Sequence, residues 1–219
     1  MKSDGIMAFF GFFMTAVIII LFFVVKGHFE NKVESVDSSV SEVTEALKSS
    51  DEIVFKGRMT DITSTINSRI YIDDNCIGNV LDPSDIKVVS DEEELFHMTN
   101  DYETDVTTYY SPDNEILGYA KGEYVEATDD TEIYVYKFYD DEMNEKPYSL
   151  YNNQIVDSSN EVLVQLKSKS NFWPIPFVEG RYTITVTTKS SETKVDYLDK
   201  LFLYRCRINR MNNANNIDR

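Results

Sequence analysis

Few side chains in this sequence are of the types that carry out acid–base, nucleophilic or metal chemistry. The 219 residues include two histidines and two cysteines. Neither His28 nor His97 has a neighbouring nucleophile and orienting partner, which a general base needs. Cys76 and Cys206 lie far apart in the sequence, so they do not match metal-ligand spacing. They leave open one disulfide or two buried thiols. We predict no catalytic, cofactor-binding or metal-binding residue.

The glycine-rich and nucleophile motifs of common enzyme classes do not occur in the sequence either. There is no Gly-x-Ser-x-Gly elbow, no phosphate-binding loop and no Gly-x-Gly-x-x-Gly. Acidic clusters remain, and carboxylates that converge from loops could hold calcium or act as a hydrolytic pair. None of the clusters fits a calcium-loop pattern, and acidic loops are usually only solvated. They comprise residues 73–75, 91–94, 129–130 and 140–145.

The charge balance excludes one large class of partners. The formal net charge is -17, and most of the negative charge follows residue 25. An acidic surface repels phosphate backbones and anionic lipid headgroups. We therefore expect no nucleic-acid binding.

An uninterrupted apolar run covers residues 6–25, after a short tail of residues 1–5. As a helix it would span about 30 Å, the thickness of the hydrocarbon core of a bilayer. The run is too long for a cleavable signal peptide, and no small-residue cleavage site follows it. It predicts a single transmembrane helix that anchors the chain in the bilayer. The flanking lysines are almost balanced, and the short N-terminal tail favours an extracytoplasmic C-terminal domain.

A heptad pattern follows the apolar run within residues 26–50. Its spacings of four and three residues predict a helical stalk. In one interpretation, stalks of two or more chains pair as a coiled coil and make the protein a homo-oligomer. In the other, the stripe packs against the β domain of its own chain. The stripe consists of Phe29, Val33, Val36, Val40, Val43 and Leu47.

Alternation with a period of two dominates residues 51–208 and predicts a mainly-β acidic domain. Clear strands are expected at residues 182–187 and 133–139. The alternation of Phe202, Tyr204, Cys206 and Ile208 suggests one more near the C-terminus. Many short strands separated by turn residues are typical of a sandwich or a barrel, and we predict a β-sandwich. Two subdomains that divide near residues 95–112 are an alternative. Residues 209–219 are Asn-rich and predict a disordered tail.

One local pattern carries a resemblance. Gly180-Arg181-Tyr182 comes just before an alternating strand. It resembles the tyrosine-corner region of immunoglobulin-like domains, which implies an immunoglobulin-like sandwich. The paired cysteines of those domains are absent, because position 184 is Ile.

The most unusual segment of the β domain is rich in aromatic residues and proline. The prolines keep it extended, so it is expected either to dock a partner or to cover the end of the core. Its large apolar side chains are Phe172, Trp173, Ile175 and Phe177.

These features predict a non-enzymatic, membrane-anchored protein that binds or scaffolds another protein of a cell envelope. The layout is similar to that of bitopic subunits of envelope and secretion machines, and of phage lysis proteins that act at the inner membrane. The alternative is an envelope hydrolase or a calcium-dependent binder that uses the acidic loops.

Overall fold

The computed structural model describes residues 39–59, 68–81, 87–90, 93–126, 132–171, 180–190 and 192–217. Within these ranges the chain forms two helices and twelve strands. The helices are α1 (Val40–Ser49) and α2 (Tyr197–Ile217). The strands are β1 (Glu52–Met59), β2 (Ser68–Ile72), β3 (Asn75–Leu81), β4 (Lys87–Ser90), β5 (Glu93–Asp101), β6 (Val106–Tyr110), β7 (Ile116–Glu126), β8 (Glu132–Tyr139), β9 (Glu145–Tyr151), β10 (Gln154–Asp157), β11 (Val162–Asn171) and β12 (Gly180–Thr188).

The twelve described strands form one antiparallel sheet that closes on itself as a barrel. Each strand pairs with its neighbours in sequence, and β1 also pairs with β12 through Ile53↔Val186 and Phe55↔Ile184. The predicted β-sandwich, immunoglobulin-like or not, is therefore wrong. Alternating strands can form two facing sheets or one closed sheet, and their period is the same in both. Pairing between β5 and β6 also continues the sheet through residues 95–112.

Helix α2 lies inside the closed sheet. Leu201, Phe202, Leu203 and Tyr204 follow one another around the helix, and each is at most 1% exposed. The Tyr204 ring stacks on Phe55 of β1 with centroids 3.9 Å apart, whereas Phe202 packs against rings of β6 and β8. Strands thus surround this part of the helix and bury all of its sides between Leu201 and Arg205.

The predicted strand through Phe202, Tyr204, Cys206 and Ile208 is wrong, because these residues belong to α2. A helix enclosed on every side needs no polar stripe, so it lacks the 3.6-residue period that identifies a surface helix. α2 also continues to Ile217, through most of the segment predicted as a tail.

Helix α1 lies at one end of the closed sheet, near the start of α2. A capping box formed by Ser39 and Glu42 begins the helix, and Val43 and Leu47 are buried in the same core as α2. The Lys200 ammonium group donates to the Ser50 carbonyl oxygen at 3.1 Å. We call this end of the closed sheet the α1 end, and the β8–β9 turn also lies there. We call the opposite end of the closed sheet, where the β5–β6 turn lies, the far end.

Neither of the two described helices is long and apolar enough to cross a membrane. The predicted transmembrane helix, residues 6–25, lies outside the described residues. So does most of the predicted stalk, of which residues 39–50 are described.

Candidate functional site

Strands β7 and β8 carry one continuous face from the core to the surface at the far end. Their register pairs Ala120 with Phe138, Tyr124 with Tyr134 and Glu126 with Glu132. Ala120 and Phe138 are fully buried, but Tyr134 is 37% and Tyr124 69% exposed. Residues two apart on a strand share a face. This face therefore extends beyond the packed interior, and we call it the ribbon face. It comprises Tyr124, Glu126, Glu132, Tyr134 and Tyr136.

A chain of aromatic rings connects the ribbon face to α2. Tyr124 packs edge-to-face on Tyr134 at a centroid distance of 4.9 Å, and Tyr134 on Tyr136 at 5.5 Å. Tyr136 then packs edge-to-face on Phe202 at 5.0 Å. Such pairs stabilise by about 1 kcal/mol each beyond their buried area. The exposed tyrosines are therefore held by the core.

A hydrogen bond to the β5–β6 turn fixes Tyr134. The Tyr134 hydroxyl donates to the Asp105 carboxylate, and the Gly122 N–H donates to the Asp105 carbonyl oxygen at 3.0 Å. Asp105 has a φ of 49°, in the left-handed region. A Cβ atom at position 122 would overlap both the Tyr134 hydroxyl and the Asp105 carboxylate. Glycine is therefore required on β7 for the tyrosine to reach its acceptor.

Two carboxylates continue the ribbon face past the tyrosines. Glu126 and Glu132 are both exposed and lie directly opposite each other in the ladder. Directly opposite side chains have Cβ atoms about 5 Å apart, and like charges at that separation repel. Among the described residues, no lysine, arginine or histidine forms an ion pair with either glutamate. Within the part of the chain that the structure describes, these two negative charges have no neutralising partner beside the exposed rings.

Polar groups of α2 lie in the interior near this face. The buried Arg205 guanidinium donates to Thr107 Oγ1 at 2.8 Å, and Thr107 donates to Asn100 Oδ1 at 2.8 Å. Burial raises the pKa of the Cys206 thiol to about 12, which keeps it protonated at neutral pH. Burial also raises the pKa of Tyr136, with Cys206 and Asp105 contributing. These groups are neutral or hydrogen-bonded, and none of them is an activated nucleophile.

A second polar cluster lies at the α1 end, around a buried carboxylate. Asp199 is 0% exposed and accepts from Lys146 at 2.7 Å and from the Tyr148 hydroxyl at 2.8 Å. Burial raises the pKa of Asp199 to about 6, against the lowering effect of Lys146. Burial is the largest cause of a raised pKa at the neighbouring Tyr109 hydroxyl, and the charge of Asp199 is the second. We interpret this cluster as the structural anchor of the start of α2.

The acidic turns at the α1 end have a structural role. The Asp140 carboxylate accepts from the N–H groups of Glu142 and Asn144, and Asp157 accepts from Ser159 and Glu161 in the same way. Side-chain hydrogen bonds from Asn144 to Asp140 and from Ser159 to Asp157 lower the pKa of each aspartate most, and the backbone bonds add to this effect. Within the described residues, no three metal-ligating side chains come together. The carboxylates shape tight turns.

His97 lies on β5 as part of the sheet. Its Nδ1 atom is 2.6 Å from the Glu94 carboxylate, and its ring stacks on Tyr110 at 5.1 Å. The histidine is therefore held by neighbouring strand residues.

The other residues singled out in the sequence are dispersed. Val43 and Leu47 of the stripe are 1% exposed and pack in the core of their own chain, and Val40 is partly buried against it. Cys76 and Cys206 are both thiols in the structure, with no disulfide between these two described residues. The remaining stripe and docking residues lie outside the described residues: Phe29, Val33, Val36, Phe172, Trp173, Ile175 and Phe177.

Comparison with known proteins adds no relative: no family model, no curated protein and no solved structure matches this chain. The candidate site therefore rests on its geometry.

Sequence reasoning missed the ribbon face. The segment of residues 133–139 was noticeable as aromatic on both sides, but alternation alone does not tell which tyrosines extend beyond a core. One available signal was the mirrored order Tyr124-Val125-Glu126 and Glu132-Ile133-Tyr134. In a hairpin this order pairs tyrosine with tyrosine and glutamate with glutamate.

Proposed function

We propose that this chain is a non-enzymatic interaction domain, tethered to a membrane by its apolar N-terminal segment and facing the extracytoplasmic side. The observation that carries the interaction role is the ribbon face, where Tyr124 is 69% and Tyr134 37% exposed. Tyrosine is enriched in the centres of protein interfaces because it combines a large apolar area with a polar group. The partner is another protein of the same envelope.

The filled interior of the closed sheet favours a role in binding a partner over a role in enclosing a small ligand. Closed sheets of this kind hold small ligands when their interior is hollow. Here the chain's own helix fills that space with Leu201, Phe202 and Tyr204, all at most 1% exposed. Residues 172–179 connect the end of β11 to the start of β12. Both of these strand ends lie at the far end, where the ribbon face also lies. Binding is therefore assigned to the outside of the far end.

Site-specific photocrosslinking tests the interaction. A benzophenone amino acid replaces Tyr124 in the full chain, and a control chain carries it at Met143. Met143 is 54% exposed and lies at the α1 end. After irradiation of intact cells, we expect a heavier adduct from the Tyr124 chain alone. Equal adducts from both positions, or none from position 124, would contradict the proposal.

Alkaline carbonate extraction tests the tether. The full chain is expected to stay in the membrane pellet, and a chain without residues 6–25 to appear in the supernatant. Release of the full chain by carbonate would contradict a membrane-spanning tether. A C-terminal reporter enzyme that is active only outside the cytoplasm then tests on which side the domain lies.

A further inference from the structure

The exposed tyrosines of the ribbon face offer ring surfaces to a ligand. The Tyr124 and Tyr134 rings meet at an interplanar angle of 66°, so their faces point in different directions. Tyr124 contributes most of the exposed ring area. A cation within about 6 Å of a ring centroid is attracted by the negative face of the ring.

The charges beside these rings have the sign that a cation requires. Glu126 and Glu132 share the ribbon face with the tyrosines and lie opposite each other. A cation between two like-charged carboxylates removes their mutual repulsion and adds attraction to each. The two carboxylates and the tyrosine rings therefore favour the same kind of ligand, a cation.

The opposite face of the same ribbon shows how such charges are neutralised elsewhere in the molecule. There, Lys137 lies 2.9 Å from the Glu123 carboxylate and 3.3 Å from that of Glu145. On the ribbon face, no described residue plays the part of Lys137. A cation supplied by another molecule would complete the same arrangement.

We propose that the ribbon face binds a lysine or arginine side chain in a basic segment of a partner protein. This inference rests on the proposed interaction function and specifies the chemistry of its partner. The net charge of -17 attracts a basic segment over distance. Because Tyr124 and both glutamates are exposed, a small cation alone would keep most of its hydration. A peptide segment buries additional area around its cationic side chain.

Fluorescence anisotropy of a labelled peptide tests this inference. The probe is a Gly-Ser peptide with spaced arginines, and the reference is the same peptide with citrulline, which is neutral. The protein is the full chain in detergent. The Glu126→Gln/Glu132→Gln variant is expected to bind the arginine peptide about fivefold more weakly. The Tyr124→Leu variant is expected to lose about threefold, and Tyr124→Phe to bind normally.

A matched variant separates local recognition from overall charge. Glu115→Gln/Glu161→Gln makes the same charge change at exposed positions of the α1 end. It is expected to weaken binding less than about twofold, because distant exposed charges are screened. Equal weakening by both double variants, or equal binding of the citrulline peptide, would overturn the inference. So would failure of the arginine peptide to bind, even if Tyr124 still crosslinked to a partner. The interaction role of the proposed function is judged separately, by whether position 124 forms an adduct that position 143 does not.

Discussion

The two ends of the closed sheet use tyrosines and carboxylates in opposite ways. At the α1 end, Asp199 is 0% exposed and accepts hydrogen bonds from Lys146 and Tyr148. At the far end, Tyr124 is 69% exposed, and Glu126 and Glu132 face each other without a described cation. The same residue types therefore hold the start of α2 at one end and present a surface at the other. The difference lies in burial and neutralisation, and both can be tested by substitution.

The largest expected effect comes from removing a ring that lies between the two ends. Phe202 is fully buried against Tyr109, Tyr136 and Phe138. The Phe202→Ala variant should lower the free energy of unfolding by about 4 kcal/mol, measured by chemical denaturation. Tyr124→Ala is the exposed control and should cost only about 1 kcal/mol, because it removes one aromatic pair and little buried area. Similar losses in both variants would show that α2 is not the core of the sheet.

The next effect concerns the α1 end. Asp199→Ala leaves the Lys146 ammonium and the Tyr148 hydroxyl without their shared acceptor and should cost about 3 kcal/mol. Asp199→Asn keeps an acceptor oxygen and should cost less. Denaturation of both variants at pH 7 checks this order. If Asp199→Ala leaves the stability unchanged, the cluster does not have the structural role assigned to it.

Gly122 tests how the far end is built. Gly122→Ala places a methyl group against the Tyr134 hydroxyl and Asp105, and should cost about 1 to 2 kcal/mol. Tyr134→Phe removes the hydrogen bond from the Tyr134 hydroxyl to the Asp105 carboxylate without adding volume, and should cost about 1 kcal/mol. Peptide binding should also weaken in Gly122→Ala, because the Tyr134 ring is displaced. Unchanged stability and binding would show that the bond to Asp105 does not position the ring.

A smaller effect is expected from pH. Asp199 has a folded-state pKa of about 6, above its ordinary value of 3.8, so the folded chain binds its proton more tightly than the unfolded chain. Its contribution is fully present below about pH 4 and is lost as the pH rises through 6. The stability of the native chain relative to Asp199→Asn should therefore fall by at least about 1 kcal/mol between pH 4 and pH 7. If the stability of the native chain relative to Asp199→Asn instead rises over this range, the folded-state pKa of Asp199 is lowered.

The strands were largely predictable from sequence, whereas their closure was not. Alternation such as that of Tyr182, Ile184 and Val186 depends on one buried face, which sandwiches and barrels share. Tyr182 in fact donates to or accepts from the Tyr204 hydroxyl of α2 at 3.2 Å, and is not a corner residue. No sequence period could reveal this contact, because it joins a strand to a helix enclosed on all sides.

The candidate site was less predictable than the strands. Tyr124 and Tyr134 look like any other alternating aromatic residues in the sequence, and their exposure depends on how far β7 extends beyond its pairing with β6, which ends at Lys121. Val43 and Leu47 show the reverse difficulty. A heptad spacing fits both a coiled coil and a helix that covers its own domain, and only the position of the closed sheet distinguishes them.

Hydrogen exchange of the full chain, followed by mass spectrometry, tests the contrast between the filled interior and the exposed ribbon most directly. Amides of α2 between Leu201 and Ile208 should exchange only through global unfolding, at the slowest rates among the described residues. Amides of β7 and β8 near Tyr124 and Tyr134 should exchange much faster and slow down when the arginine peptide is added. Rapid exchange throughout α2, or protection of the ribbon that the peptide does not change, would contradict this account.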